Sequence, residues 1–346
     1  MVEYGKHQEE ERLTGRRETR HSFLEWCSVF AGVILLAICL AIAILLTFSL
    51  AIRARDATLA APGQRYFVDS HRYQVHVHCV GDKSNSRGKS NPTVFLEGGE
   101  DPVEGRLEGW VKEAYNSSTI KRYCYWDRPG MAWSDSAPSP ASAGRIADAL
   151  SEALTQANEN GPWILVSHGI GGIYSRIFAS RHASDVRGLL LIDTFPESLL
   201  DRISSPGRGF MLWVRGVISP LGIDRIISAT FMGRHREDRI YGRNAYQKGG
   251  QIKAKLQENL VATSSTLHEV LAAKAILPKD TPIVVVSSGK VIKKDKEWNS
   301  GQRALTRLSD NLIAWDVVNG ADHEVWKNEH GRKLLERRLV QLVNSG

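Results

Sequence analysis

Trp163-Ile164-Leu165-Val166-Ser167-His168-Gly169-Ile170-Gly171-Gly172 is the stretch on which the reading of this chain turns. Trp163–Val166 is a short apolar run of the kind that forms a buried strand. The glycines that follow compress the backbone into a tight turn, because glycine enters conformations closed to other residues. From Ile173 to His182 the pattern is helical. The unit is therefore strand, glycine turn, helix.

Outward from this unit the same rhythm repeats. Tyr73–Val80, Thr93–Leu96, Tyr123–Trp126, Leu189–Ile192, Ile283–Val286 and Leu312–Val318 each suit a buried strand of a mostly parallel sheet. Between them, Ser142–Asn158 carries Ile146, Leu150, Ala153, Leu154 and Ala157 at helical spacing, and Glu329–Val343 carries Leu334, Leu335, Leu339 and Leu342 on one face. Strands alternating with helices predict an α/β fold, a doubly wound, mostly parallel sheet of about eight strands. Residues 195–277 interrupt the rhythm with mostly helical sequence, including the apolar segment 210–227, and read as a cap over the sheet's C-terminal edge, where such folds bind ligands. Residues 81–92 form a polar loop.

The chain resembles the α/β-hydrolase superfamily, and five motifs in order carry the resemblance. Residues 163–172 look like the nucleophile elbow, which usually reads G-H-S-x-G-G between strand and helix. Leu96-Glu97-Gly98-Gly99 resembles the oxyanion loop. Tyr125-Trp126-Asp127-Arg128-Pro129-Gly130-Met131-Ala132-Trp133-Ser134 resembles the segment after the fourth strand, Leu191-Ile192-Asp193 the end of the sixth strand, and Gly320-Ala321-Asp322-His323 the late histidine loop. The resemblance spans residues 66–346.

The departure is at the centre of the elbow, where Gly169 stands in place of the serine. The strand, His168 and the Gly171-Gly172 pair fix the frame, so Ser167 falls where a small packing residue is usual and Ser175 falls inside the helix. Glycine relaxes the strained elbow and removes the nucleophile, and losing such a serine typically costs about 10⁶-fold in turnover. The resemblance implies that His323 is the general base, with a vestigial hydrogen-bonded histidine as the plainer alternative. No carboxylate stands at the end of the seventh strand, Ser287-Ser288-Gly289-Lys290, which leaves Asp193 as the better candidate to orient His323, ahead of Asp295. Asp127 and Arg128 read as a buried pair supporting the loops. Backbone N–H groups of Ile170 and of the loop Gly98, Gly99, Glu100 would form the oxyanion site, which also lies at a helix N-terminus suited to an anion.

The expected activity is that of a non-catalytic pseudohydrolase binding a small apolar or carboxylate ligand or a partner. The alternative is an ester or lipid hydrolase that uses a non-standard nucleophile or a water activated by His323. The sequence shows neither a metal-ligand cluster nor a phosphate loop, so no cofactor is expected. A net charge of +7 without a nucleic-acid motif points to a basic surface rather than a nucleic-acid partner.

Residues 26–52 carry no charge and exceed the roughly 20 apolar residues needed to cross a bilayer. They predict a single transmembrane helix after a charged, unstructured tail (1–25) and before a juxtamembrane linker (53–65). Lys and Arg flank the span on both sides in nearly equal number, so orientation and organelle stay open. The sequon Asn116-Ser117-Ser118 would be usable only in a lumenal domain. Cys79 and Cys124 lie on predicted strands, and a disulfide and two free buried thiols are both open readings.

Overall fold

The structure is a computed structural model, and it describes residues 2–83, 91–139, 141–223, 225–226 and 249–345. It divides into two compact units, Met1–Thr58 with Pro220–Ile223, and Leu59–Ser219 with Asp224–Gly346.

In the first unit a single helix, α1, runs from Val2 to Ala57. Its stretch Glu25–Arg55 is apolar and long enough to cross a membrane. Its large side chains, Leu35, Leu36 and Leu40 among them, project outward on all sides. A helix apolar all round is stable only where something other than water surrounds it. The chain is a membrane protein, and this is the one such span among the described residues. Residues 2–25 of the charged segment, expected to lack structure, continue the same helix, as do residues 53–57 of the expected linker. Backbone hydrogen bonds propagate at little cost once a long apolar helix has nucleated them.

The second unit is built on an eight-stranded sheet in the order β1-β2-β4-β3-β5-β6-β7-β8. The strands are β1 (Gln64–Val68), β2 (Tyr73–Val80), β3 (Thr93–Glu97), β4 (Tyr123–Asp127), β5 (Trp163–His168), β6 (Val186–Ile192), β7 (Ile283–Ser288) and β8 (Leu312–Val318). β1 and β2 pair antiparallel, and β3 to β8 run parallel with β4. Side chains on the central strands alternate between two cores. Phe95, Leu165, Leu189 and Leu191 face one layer, with α3 (Ala143–Gln156) and α4 (Gly171–Arg181). Leu96, Val166, Leu190 and Ile192 face the other, with α2 (Leu107–Asn116) and the C-terminal helix Glu329–Asn344. Burial on both faces is why these strands carry continuous apolar runs instead of alternating.

Two expectations on the sheet need correction. The fold starts at Gln64, not Tyr66, because β1 is an additional edge strand whose exposed residues give no apolar run. Leu312–Val318 is not fully buried: β8 closes the opposite edge, and Leu312 and Val317 are exposed. The polar loop lies largely outside the described residues, as does most of the segment 219–248. The described part of the helical insertion contains helices Pro206–Ile218, Gly249–Val261 and Leu267–Ile276.

β3 connects onward to β4 on one side while its other neighbour, β5, connects onward to β6 on the opposite side, so the strand order reverses between β3 and β5, the arrangement that opens a crevice at the C-terminal strand ends. Glu97, His168, Ile192 and Ser288 all end their strands on that side.

Candidate functional site

The turn between β5 and α4 places Gly169 at φ +54°, a left-handed conformation that an L side chain adopts only under strain. Its carbonyl accepts from Gly172 N (3.3 Å) and Phe195 N (2.8 Å), which locks the turn to the chain leaving β6. A Cβ at Gly169 would stand 3.3 Å from His323 Nε2 and 3.4 Å from the Cα of Gly99. The turn therefore points its central residue at the histidine.

His323 comes from the loop after β8, and its Nδ1 lies 2.6 Å from Asp193 Oδ2. Asp193 is fully buried at the end of β6, itself at φ +44°. Its other oxygen accepts from Ser288 N (3.1 Å) and Trp298 Nε1 (3.0 Å). Three donors around one carboxylate fix its plane, and the carboxylate in turn fixes the imidazole tautomer with Nδ1–H toward it. Asp295, the rival acid, instead caps the helix Lys296–Leu305 and pairs with Arg202. Its carboxyl is held down at about 2, first by the Arg202 hydrogen bond. It reaches the site only indirectly, by seating the helix that carries Trp298.

Ser167 is fully buried, and its hydroxyl donates to Ser175 Oγ at 2.6 Å. Both serines are internal to the packing of β5 against α4, and neither lines the crevice. His168 does line it. Its ring packs 4.3 Å from that of His323 and 4.6 Å from Trp326, and its Nε2 lies 3.2 Å from the His323 carbonyl oxygen. Burial and then the neighbouring His323 push its pKa well below the ordinary histidine value, so it is a neutral wall of the site at pH 7.

The pocket has a volume of about 760 Å³ and is lined by Gly98, Gly99, Glu100, Gly169, Ile170 and His323, together with Phe195, Trp298 and Trp326. Gly99 is required where it stands, because a Cβ would meet His168 Nδ1 at 2.8 Å. Arg128 holds the loop. It donates to the carbonyls of Gly98 and Gly99, to Glu97 Oε1 at 2.8 Å, and lies 3.6 Å from Glu258 of the helical insertion. Those contacts fix the course of the loop beside the turn. Asp127 and Arg128 are both buried and both support loops: Arg128, one residue past the end of β4, holds the 98–99 loop, while Asp127 meets the buried His76 at 2.8 Å and accepts from Trp133 N at 3.3 Å. The Glu100 side chain leaves the pocket for Lys255 (3.3 Å) and Arg208 (3.1 Å). Burial would raise its pKa, but these two cations outweigh that and lower it.

The sequence signalled His323, Asp193, Gly169, Gly98, Gly99, Glu100 and Ile170, and all except the buried Asp193 line this one pocket. Trp298 was missed, since a tryptophan in a polar helix looks like packing until its indole is seen on Asp193. Cys79 and Cys124 face each other across β2 and β4 and form a disulfide. They are also the core of the one cluster of three metal-type donors among the described residues, with Glu159. The disulfide consumes both thiols, and Glu159 is bound by Arg122 (2.7 Å) and Lys83 (3.0 Å), so the cluster does not fit a metal.

Residues 108–337 match the alpha/beta hydrolase family, and the chain belongs to it. Residues 1–79 match a region of unknown function, DUF2417. An uncharacterized protein of Schizosaccharomyces pombe is 39% identical over 319 residues, covering 86% of this chain and 59% of the relative. An uncharacterized vacuolar membrane protein of Saccharomyces cerevisiae is 28% identical over 385 residues, covering 94% of this chain and again 59% of the relative. The chain thus spans 59% of the length of these two relatives. Among solved structures, a putative alpha/beta hydrolase from Nostoc sp PCC 7120 superposes with a TM-score of 0.59 at 13% identity, covering 84% of this chain and all of that one. Identity that low speaks for the fold alone.

Proposed function

We propose that this chain is a membrane-anchored pseudohydrolase, a hydrolase-fold binding module without serine chemistry. The observation that carries the reading is Gly169 itself. His323 Nε2 is aimed at the one position in the fold where a serine oxygen would receive it, and that position has no side chain. The two serines nearby are committed to each other. What remains is a pocket with aromatic walls and backbone N–H groups at the start of α4, suited to a small ligand with an apolar body and a carboxylate or carbonyl end.

The intact His323–Asp193 pair favours a second reading. In it, Nε2 takes a proton from a water, the resulting hydroxide adds to an ester carbonyl held by the N–H groups of Ile170 and the 98–100 loop, and the proton returns to the departing alkoxide. Incubating the purified chain in lipid nanodiscs with a fluorophosphonate probe and a panel of short and long acyl esters separates the two. The pseudohydrolase reading expects no labelling and no turnover above that of His323→Ala. Turnover that disappears in His323→Ala overturns it in favour of water activation.

We further propose that the folded domain lies on the lumenal side. The Cys79–Cys124 disulfide requires an oxidising compartment, Asn116 of the sequon is exposed at the end of α2, and the Saccharomyces relative is named as vacuolar. Protease protection in sealed microsomes tests this side: cleavage of the domain without detergent contradicts it.

A further inference from the structure

The helix Pro206–Ile218 carries two stripes of opposite character. One stripe is Gly209, Leu212 and Gly216. Leu212 is buried, and a Cβ at Gly209 would meet Asn259 at 2.6 Å, so this stripe lies against the helix Gly249–Val261. The other stripe is Phe210, Trp213 and Val217, three and four residues apart, with Met211 and Ile218 flanking it. Phe210 is 62%, Trp213 56% and Val217 60% exposed, and the rings of Phe210 and Trp213 stack at 6.1 Å. Scattered apolar residues on a surface are ordinary, but a contiguous aromatic and aliphatic stripe along one helix marks a face that meets an apolar partner.

The chain itself supplies that partner. α1 ends at Ala57 and β1 begins at Gln64, leaving six residues between the membrane helix and the sheet. Six residues reach at most roughly 20 Å when fully extended. The folded domain therefore never leaves the bilayer's immediate neighbourhood, and a lipid surface is the apolar phase it meets at all times. A helix with Trp and Phe on its outer face suits the interface between headgroups and acyl chains, where these rings are most stable. We propose that the outer face of helix 206–218 is a second, peripheral membrane-contact surface, which rests in the interface while α1 spans it. On the same helix Arg208 is bound to Glu100, so the element that meets lipid is tied to the loop that borders the pocket.

The test uses the full chain with Cys27→Ser and Cys39→Ser, its disulfide intact, reconstituted in phosphatidylcholine vesicles. A single cysteine is placed at Val217→Cys and, as a control, at Lys333→Cys on the exposed side of the C-terminal helix, and each is labelled with the fluorophore NBD. Both positions are exposed, so neither substitution threatens the core. The expected result is blue-shifted emission at 217 that is quenched by lipids carrying a nitroxide on the acyl chain, with neither effect at 333. Emission at 217 as water-exposed as at 333 overturns the proposal. A blue shift at 217 without lipid quenching also overturns it, because a protein then covers that face.

Discussion

Gly169→Ser restores the missing atom, and the structure sets both its cost and its gain. A serine at φ +54° occupies the left-handed region, and its Cβ would sit 3.3 Å from His323 Nε2, closer than ordinary contact, and 3.4 Å from the Gly99 backbone, at the near edge of it. Backbone strain of this type costs about 1–3 kcal/mol, and small movements of the His323 ring relieve the contact. For a domain of this size that corresponds to a fall in Tm of roughly 2–10 °C. The gain follows from the same distance: a Cβ 3.3 Å from Nε2 leaves the hydroxyl within hydrogen-bond reach of a base already oriented by Asp193. A positioned general base contributes about 10²–10⁴-fold, so the variant should react with a fluorophosphonate at least about 10²-fold faster than the parent chain. The assay pairs labelling rates, read by mass spectrometry of the modified peptide, with a thermal melt of each protein. Gly169→Ser combined with His323→Ala should lose the gain. A variant that melts as a folded protein yet stays inert to the probe would refute the reasoning, since the dyad and turn would then not be in the geometry inferred here.

Three further outcomes follow from the surrounding structure. Arg128→Met leaves the buried Glu97 and Glu258 without their cation and frees the carbonyls of Gly98 and Gly99, and it should destabilise the domain by about 3–5 kcal/mol in denaturant titration. Glu197 is bound by Arg176 (2.8 Å) and Lys274 (2.9 Å); burial would raise its pKa, but the two cations bring it from 4.5 down to about 2. Because the folded value is depressed, its stabilisation is complete above pH 4.5 and is lost as pH falls toward 2. Glu197→Gln should therefore cost up to about 3 kcal/mol at pH 7 and flatten the pH dependence of stability in that window, read by denaturant midpoints at pH 7, 4 and 2.5. Reducing Cys79–Cys124, which closes a separation of 45 residues, should lower unfolding free energy by about 4 kcal/mol, and a fully reduced chain with an unchanged midpoint would contradict the pairing.

How much of this was legible beforehand depends on the range of the interactions concerned. The strands buried on both faces announced themselves as apolar runs, because each residue there meets a core. The anchor was equally plain, since its requirement is a length of apolar chain and nothing else. Gly169 stood out because a turn between strand and helix is a local structure with a local pattern. β1 escaped because an edge strand takes its order from a neighbour and shows few buried side chains of its own. The helix over residues 2–25 has no local signature because it is continuous with the apolar one beyond it.

Sequence alone determined the fold class, the anchor and the loss of the elbow serine, all of which rest on contiguous residues. Only the tertiary structure decided which groups meet. Asp193 and His323 are 130 residues apart and come together because β6 and β8 end on the same side of the sheet. Trp298 reaches Asp193 across 105 residues, and Arg128 meets two glutamates brought in from β3 and the helical insertion. A hydrogen bond is set by angles and by distances of tenths of an ångström, and those are properties of the packed sheet and helices rather than of any stretch of chain.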